Sequence, residues 1–159
     1  MFDVQRTYHL GVRVPDIDTA MAEYGAAQGV RWATVQHSDS RSVWTPERGV
    51  EQVALTFVYS CDGPHRIELL QGGPGSVWDC GDRPGLHHVG VWSDDVAAET
   101  EEAVAAGWRV AAAAKPPEDG YGTFTYIVPP SGLIVELVSS AAIPRFEAWW
   151  AGGSLGADR

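Results

Sequence analysis

The sequence predicts an α+β fold in which two βαβββ modules pair, their strands forming one curved mixed sheet around a shared cleft. Three observations carry this reading. His9-Leu10-Gly11-Val12-Arg13-Val14-Pro15-Asp16 shares its pattern with His88-Val89-Gly90-Val91-Trp92-Ser93-Asp94. Arg66-Ile67-Glu68-Leu69-Leu70 has a counterpart in Ile134-Val135-Glu136-Leu137-Val138. Between the members of each pair, helical spacing of apolar residues gives way to strand alternation, in the same order twice.

The elements follow in order. From Tyr8 to Val14 the residues alternate, with Tyr8, Leu10, Val12 and Val14 on one face and His9, Gly11 and Arg13 on the other. Asp16 is a good helix N-cap. Ile17, Ala20, Met21, Tyr24 and Ala27 recur at helical spacing until Gly29, a natural stop. A short strand is expected over 31–36 and a loop over 37–49, which is polar and carries Pro46 and Gly49. Residues 52–59 and 65–71 read as strands around the turn Cys61-Asp62-Gly63-Pro64.

A linker rich in Gly and Pro spans 72–85. The second module then repeats the first. A strand over 86–92 precedes a helix capped by Ser93 or Asp94, with Val96, Thr100, Ala103 and Val104 on one face and Gly107 at its end. Strands are expected over 108–113, 121–128 and 133–138. The chain is thus expected to be one domain over 1–159: module 1 at about 7–71, module 2 at about 86–139, and a tail from 140.

Composition narrows the function classes. The net charge is −10 and only 11 residues are Lys or Arg, which argues against nucleic acid, whose phosphates need clustered cations. No apolar run approaches the ~20 residues of a membrane span, and no signal peptide is visible at the N-terminus, so a cytoplasmic protein acting on a small molecule is expected. Cys61 and Cys80 lack a metal-type spacing and are expected as free thiols.

Each module therefore offers one His and one Glu, and both glutamates are embedded among Ile, Leu and Val. A buried, uncompensated carboxylate is costly, so something must balance them. Taken singly, a strand His is usually a hydrogen-bonded core residue and a strand Glu usually pairs with Arg. Their recurrence at matching points of a repeat favours convergence of His9, Glu68, His88 and Glu136 on the cleft. Two neutral imidazoles and two carboxylates balance one divalent cation, and such N/O ligands suit Zn, Mn, Co, Ni, Fe or Mg. The cleft would then be metal-centred, with coordination positions open to substrate. His87 falls on the opposite face and is expected against the helix layer; His37 and His65 have no repeat partner.

At these residues the chain resembles the vicinal oxygen chelate superfamily, which includes glyoxalases, extradiol dioxygenases, antibiotic-resistance proteins and methylmalonyl-CoA epimerases. The resemblance spans Tyr8 to Ser139. It implies paired βαβββ modules, a divalent metal on His9, Glu68, His88 and Glu136, and a homodimer. Pro46-Glu47-Arg48-Gly49-Val50, Ile67-Glu68-Leu69-Leu70 and Gly85-Leu86-His87-His88 look most like methylmalonyl-CoA epimerases. That likeness implies proton transfer at a carbon next to a carbonyl, with Glu47 as the base, Glu51 as the fallback and Glu136 as the second proton carrier.

Two departures bear on the substrate. The acidic chain has only scattered Arg31, Arg41, Arg48 and Lys115 to meet the phosphates of a coenzyme A ester. It also has seven Trp. Trp32 and Trp44 flank the polar segment expected at the cleft's border, and Arg13 and Trp92 are the third residues on the His-Gly faces of the two modules. These four are the candidate substrate-binding residues, and they suit an apolar or aromatic ligand equally well. The alternatives to an epimerase or isomerase are a glyoxalase-type lyase, an extradiol dioxygenase, and a non-catalytic binder of an apolar small molecule. In the tail, Ile143, Pro144, Phe146, Trp149 and Trp150 are expected to cap the core or a subunit interface rather than line the site, with 152–159 fraying.

Overall fold

In the computed structural model, which describes residues 3–156, strand β1 (Thr7–Arg13) leads into helix α1 (Ile17–Gln28), and β2 (Gln36–Thr45), β3 (Gly49–Tyr59) and β4 (Arg66–Gly72) complete the first module. The second repeats the order with β5 (Gly85–Ser93), α2 (Val96–Ala105), β6 (Arg109–Ala113), β7 (Phe124–Val128) and β8 (Ile134–Ser139). A third helix, α3 (Ile143–Trp150), follows. The eight strands close into a barrel in the order β1-β4-β3-β2-β6-β7-β8-β5. The sheet is mixed, because β1 runs parallel to β4 and β5 parallel to β8 while the other neighbours are antiparallel.

The two modules meet at unequal seams. β1 and β5 pair along most of their length, whereas β2 touches β6 in register only at Trp44 and Ala113. The register of β1 against β5 shifts between Thr7 and His9. That irregularity overturns the simple alternation expected for β1: Tyr8 is 4% exposed and His9 fully buried, while Leu10, expected beside Tyr8, is 41% exposed. His87, the repeat counterpart of Tyr8, likewise turns inward. Its ring lies 5.2 Å from that of Tyr126, and its Nδ1 is 2.9 Å from His88 Nδ1, so the helix-layer expectation is corrected.

The polar segment over 37–49 is also not a loop. It forms most of β2 because its backbone pairs with the β-branched run of β3 from Gln36–Phe57 to Thr45–Gly49, and Val43 and Thr45 are buried. Ladder hydrogen bonds here outweigh side-chain polarity. The strand expected over 31–36 shrinks to one bridge, Trp32 to Ser60.

Both helices pack on the outside of the barrel. Asp16 caps α1 by accepting from Thr19 N at 2.7 Å, and Gly29 ends it in the left-handed region with φ 66°. Ile17 and Ala20 then cover Val58 and Leu69. On α2 the cap is Asp95, one residue later than expected, accepting from Ala98 N at 3.0 Å. Asp94 is engaged elsewhere, with both carboxylate oxygens 2.7 Å from Arg6, and Ser140 donating to it. Replacing Asp95 by Ala should lower stability by about 1 kcal/mol, a lost cap, measurable as a shifted urea midpoint with unchanged slope.

The barrel interior is aromatic, and α3 closes it. Trp149 is fully buried and donates from Nε1 to the Thr34 carbonyl at 2.9 Å, and the Arg66 guanidinium sits 3.6 Å above the Trp150 ring. The tail therefore caps the core as expected. The expected fraying from 152 does not extend to Leu155, which is buried. Residues 157–159, the end of that stretch, lie outside the described residues.

Candidate metal centre

Two rows of residues run across the strands, and each crosses the module boundary. In the first, Tyr59 faces Glu68 across β3 and β4, Glu68 faces Gly11 across β4 and β1, and Gly11 faces His88 across β1 and β5. In the second, Tyr126 faces Glu136, Glu136 faces Gly90, and Gly90 faces His9. Residues opposite one another on paired strands project from the same face of the sheet. Each row thus sends a tyrosine, a glutamate and a histidine into the barrel, with a glycine between the two ligands.

The glycines explain how the rings fit. A methyl group on Gly11 would collide with the His88 imidazole, and one on Gly90 with that of His9. Each His-x-Gly motif therefore supplies one buried histidine and clears the space for the other module's histidine.

The four ligand groups meet. His9 Nε2 lies 3.3 Å from Glu68 Oε2 and 3.2 Å from Glu136 Oε2, and His88 Nε2 lies 3.2 Å from both carboxylates. The two Nε2 atoms are 2.7 Å apart, and the ligand atoms of all four residues fall within 4.8 Å of one another. Bonds of about 2.1 Å to a common ion would hold neighbouring donors roughly 3.0–3.4 Å apart. The His–Glu spacings meet that requirement. His9 Nδ1 and Glu68 Oε2 are buried without a hydrogen-bond partner among the described residues, so Glu68 Oε2 has a lone pair to offer. The charges also balance, two carboxylates against one divalent cation.

The electrostatics of the cluster follow from burial opposed by pairing. Burial pushes the Glu136 carboxyl up, but the His88 charge and hydrogen bonds from His88 and His9 hold it well below the usual carboxylate range. Glu68 is likewise lowered against its burial by His88 and His9, whose Nε2 atoms stand 3.2 and 3.3 Å from its Oε2. For His88 burial favours the neutral form, yet the two glutamates raise it to about 9. His87 goes the other way, to about 3, through burial and the neighbouring His88 charge.

A cavity of about 370 Å³ opens on the cluster. Glu68 and Glu136 reach it from the metal side, Tyr8, Tyr59 and Tyr126 surround them, and Phe57, Trp78, Phe124 and Phe146 supply apolar wall. Phe146 and Leu155 bring the tail into the lining, which corrects the expectation that it stays clear of the site. Burial, then the charges of Glu136 and Glu68, raise the Tyr8 and Tyr126 phenols well above their ordinary range, and burial does the same for Tyr59. All three remain protonated donors.

The other candidates lie elsewhere. Glu47 is exposed on the turn joining β2 to β3 and is not among the residues lining the cavity; this turn stands at the opposite end of β2 from Gln36, His37 and Ser38, which do line it. Glu51 accepts from Arg48 at 2.6 Å. Trp32 donates to the Met21 carbonyl and packs with Tyr24 in the α1 layer, and Trp44 packs in the α2 layer. Neither lines the cavity. Trp92 stacks on Tyr8 at 3.7 Å and 10°, backing a cavity residue without lining the cavity itself. Arg13 donates to the Asp79 carbonyl and lines a second cavity with His87, sharing no lining residue with the first. The tyrosines went unnoticed in the sequence, although aligned repeats carry the signal: Tyr59 ends β3 and Tyr126 lies two residues from the end of β7, each on the strand before a Glu strand.

Comparison with known proteins agrees with this geometry. The profile described as glyoxalase/bleomycin resistance protein/dioxygenase superfamily matches residues 8–126. No curated protein matches the chain. Among solved structures, a variant of Streptomyces coelicolor methylmalonyl-CoA epimerase in complex with 2-nitronate-propionyl-CoA is similar at TM-score 0.60 and 22% identity, over 87% of this chain and 96% of that one. The Mycobacterium tuberculosis methylmalonyl-CoA epimerase is similar at TM-score 0.58 and 18% identity, over 87% and 92%. A hypothetical protein from Bacillus halodurans is similar at TM-score 0.60 and 16% identity, over 84% and 93%. At these identities the likeness is one of fold.

Proposed function

Because the chain belongs to the glyoxalase/bleomycin resistance protein/dioxygenase superfamily, we propose that it is a divalent-metal enzyme moving a proton at a carbon next to a carbonyl, an epimerase or isomerase. The observation that carries this is the convergence of His9, Glu68, His88 and Glu136, all buried, at the wall of a cavity sized for a small molecule. These four residues would hold the ion. When bound, it polarises a substrate carbonyl and lowers the cost of the enolate formed by loss of the α-proton.

The chain's own groups supply the rest. Glu68 and Glu136 are the carboxylates that line the cavity among the described residues, so Glu136 serves as one proton carrier at the α-carbon and Glu68 as the other, one taking the proton and the other delivering one to the opposite face. The protonated phenols of Tyr59 and Tyr126 face that developing negative charge as neutral donors. The aromatic walls keep water away from the enolate. Methylmalonyl-CoA, named with the fold's relatives, is one candidate substrate; a smaller enolisable carbonyl compound is the other.

Loss of the α-proton signal in deuterated water, followed by NMR, tests the reaction. Metal-loaded protein should exchange the α-proton of methylmalonyl-CoA or of an aryl ketone such as propiophenone, metal-free protein should not, and Glu47→Gln should leave the rate within about twofold, as for a surface position outside the site. Oxygen uptake with a catechol in place of exchange would replace the isomerase by a dioxygenase. A protein that exchanges nothing yet binds apolar ligands without metal would be the non-catalytic binder.

A further inference from the structure

One of the cavity's polar atoms is buried, without a hydrogen-bond partner, and unused by the reaction above. The Tyr8 hydroxyl is buried, lines the cavity, and has no hydrogen-bond partner among the described residues; it lies near the Tyr59 phenol but outside hydrogen-bonding geometry. Its neighbour Tyr126 is different, since that hydroxyl accepts from Trp78 Nε1 at 2.9 Å. Buried polar atoms in folded proteins are satisfied, and one facing a cavity is satisfied by what enters it. Tyr8 is also held still. Trp92 stacks on one face of its ring, and the His9 ring meets it edge-on at 4.4 Å. A donor so fixed returns little entropy cost when it is used.

The rest of the cavity limits the ligand's shape and surface. Its volume of about 370 Å³ is near the lower end of the ~300–1,000 Å³ range of small-molecule sites. Phe57, Trp78, Phe124 and Phe146 present aromatic wall, and Phe146 and Leu155 close the side formed by the tail. Phe124 lies 6.3 Å from Trp78 at 50° and 5.5 Å from Tyr126 at 59°, tilted geometries that offer both ring edges and faces to a further ring.

We infer that the cavity takes a compact aromatic carbonyl compound with an enolisable carbon, an aryl alkyl ketone, and that the Tyr8 hydroxyl donates to its oxygen. This rests on the reading of the site as a metal-assisted centre and names its substrate class. The ring lies among the four aromatic walls, and its oxygen reaches the side of the cavity where Glu68 and Glu136 stand. The coenzyme A part of a thioester is too large for a cavity of about 370 Å³ and would have to lie outside it, where a chain of net charge −10 offers its phosphates little beyond Arg41 and Arg145 of the lining.

Calorimetric titration with 4-nitrocatechol as an analogue of the aromatic enol, with toluene as a ring lacking any oxygen acceptor and propionyl-CoA as the thioester, tests the inference. Wild-type protein should bind one 4-nitrocatechol per chain with or without metal, and more tightly when loaded. Tyr8→Phe should weaken 4-nitrocatechol about tenfold, the scale of one lost hydrogen bond, and leave toluene unchanged. A structural role for the hydroxyl would weaken both probes alike and overturn the assignment. Propionyl-CoA binding as tightly as 4-nitrocatechol and competing with it would overturn the ligand class. Leu155→Trp, which fills the cavity from the tail, should abolish 4-nitrocatechol binding; undiminished binding would place the ligand elsewhere. Metal content and α-proton exchange are read separately, so probe binding without either removes the reaction and keeps the ligand class, while exchange confined to coenzyme A esters does the reverse.

Discussion

Gly11→Ala is expected to destabilise the protein by several kcal/mol and to bring bound metal below a tenth of an equivalent, although no ligand has been touched. The added methyl falls inside the His88 ring, and backbone and ring are both held: Gly11 by two neighbouring strands, the ring by complete burial. Overpacking in a tight core costs about 1–3 kcal/mol, and more where neither partner can move. For a chain of this length each kcal/mol lowers the melting temperature by roughly 2–4 °C. Gly90→Ala should do the same through His9. The decisive measurement is a double-mutant cycle by denaturant titration with elemental analysis. In a His88→Ala background the ring is gone, so Gly11→Ala should there cost under about 0.5 kcal/mol, the limit for uncoupled sites. An equal cost in both backgrounds would mean that the glycine serves the backbone and not the ring.

Metal removal is the second large effect. An ion that binds only the folded chain stabilises it by about 4 kcal/mol when its free concentration is a thousand times the dissociation constant. At roughly 2–4 °C per kcal/mol the melting temperature should rise by about 8–16 °C on titrating Co, Ni, Mn or Zn into chelator-treated protein. The metal-free protein should still fold, because the imidazoles and carboxylates already meet at 3.2–3.3 Å and His88 carries a proton at neutral pH. Glu136→Gln should remove most of the rise. A shift under 1 °C at millimolar metal in the wild-type protein would take away the metal centre and with it the proposed reaction.

The four convergent residues were readable because a repeat makes two weak signals one stronger one. His9 and His88 would each pass as a core histidine, and Glu68 and Glu136 each as a strand carboxylate. Their matched positions bring them together. The module order was readable for a related reason, since helix and strand periodicities alternate twice with Gly and Pro between them. What was hidden depended on register and on tertiary partners. The shift between Thr7 and His9 turned Tyr8 inward, which strict alternation along β1 cannot express. β2 reads as a loop because Ser38, Ser40 and Ser42 have no strand propensity of their own; pairing with β3 holds them. The inward role of α3 depended on the barrel that Trp149 fills.

The notch at each glycine has a consequence for how such a chain can have arisen. Neither half owns a whole binding site: residues 7–71 hold a ligand pair and a groove fitted to an imidazole that residues 86–139 supply, and the converse holds. The two grooves are alike, so the His9 of a second copy of the first half would fit the Gly11 groove of the first copy. A duplicated ancestor would thus have been self-complementary before its halves diverged. In the single chain, a change at either glycine has to be met by a histidine in the other half, which ties the two segments to one another.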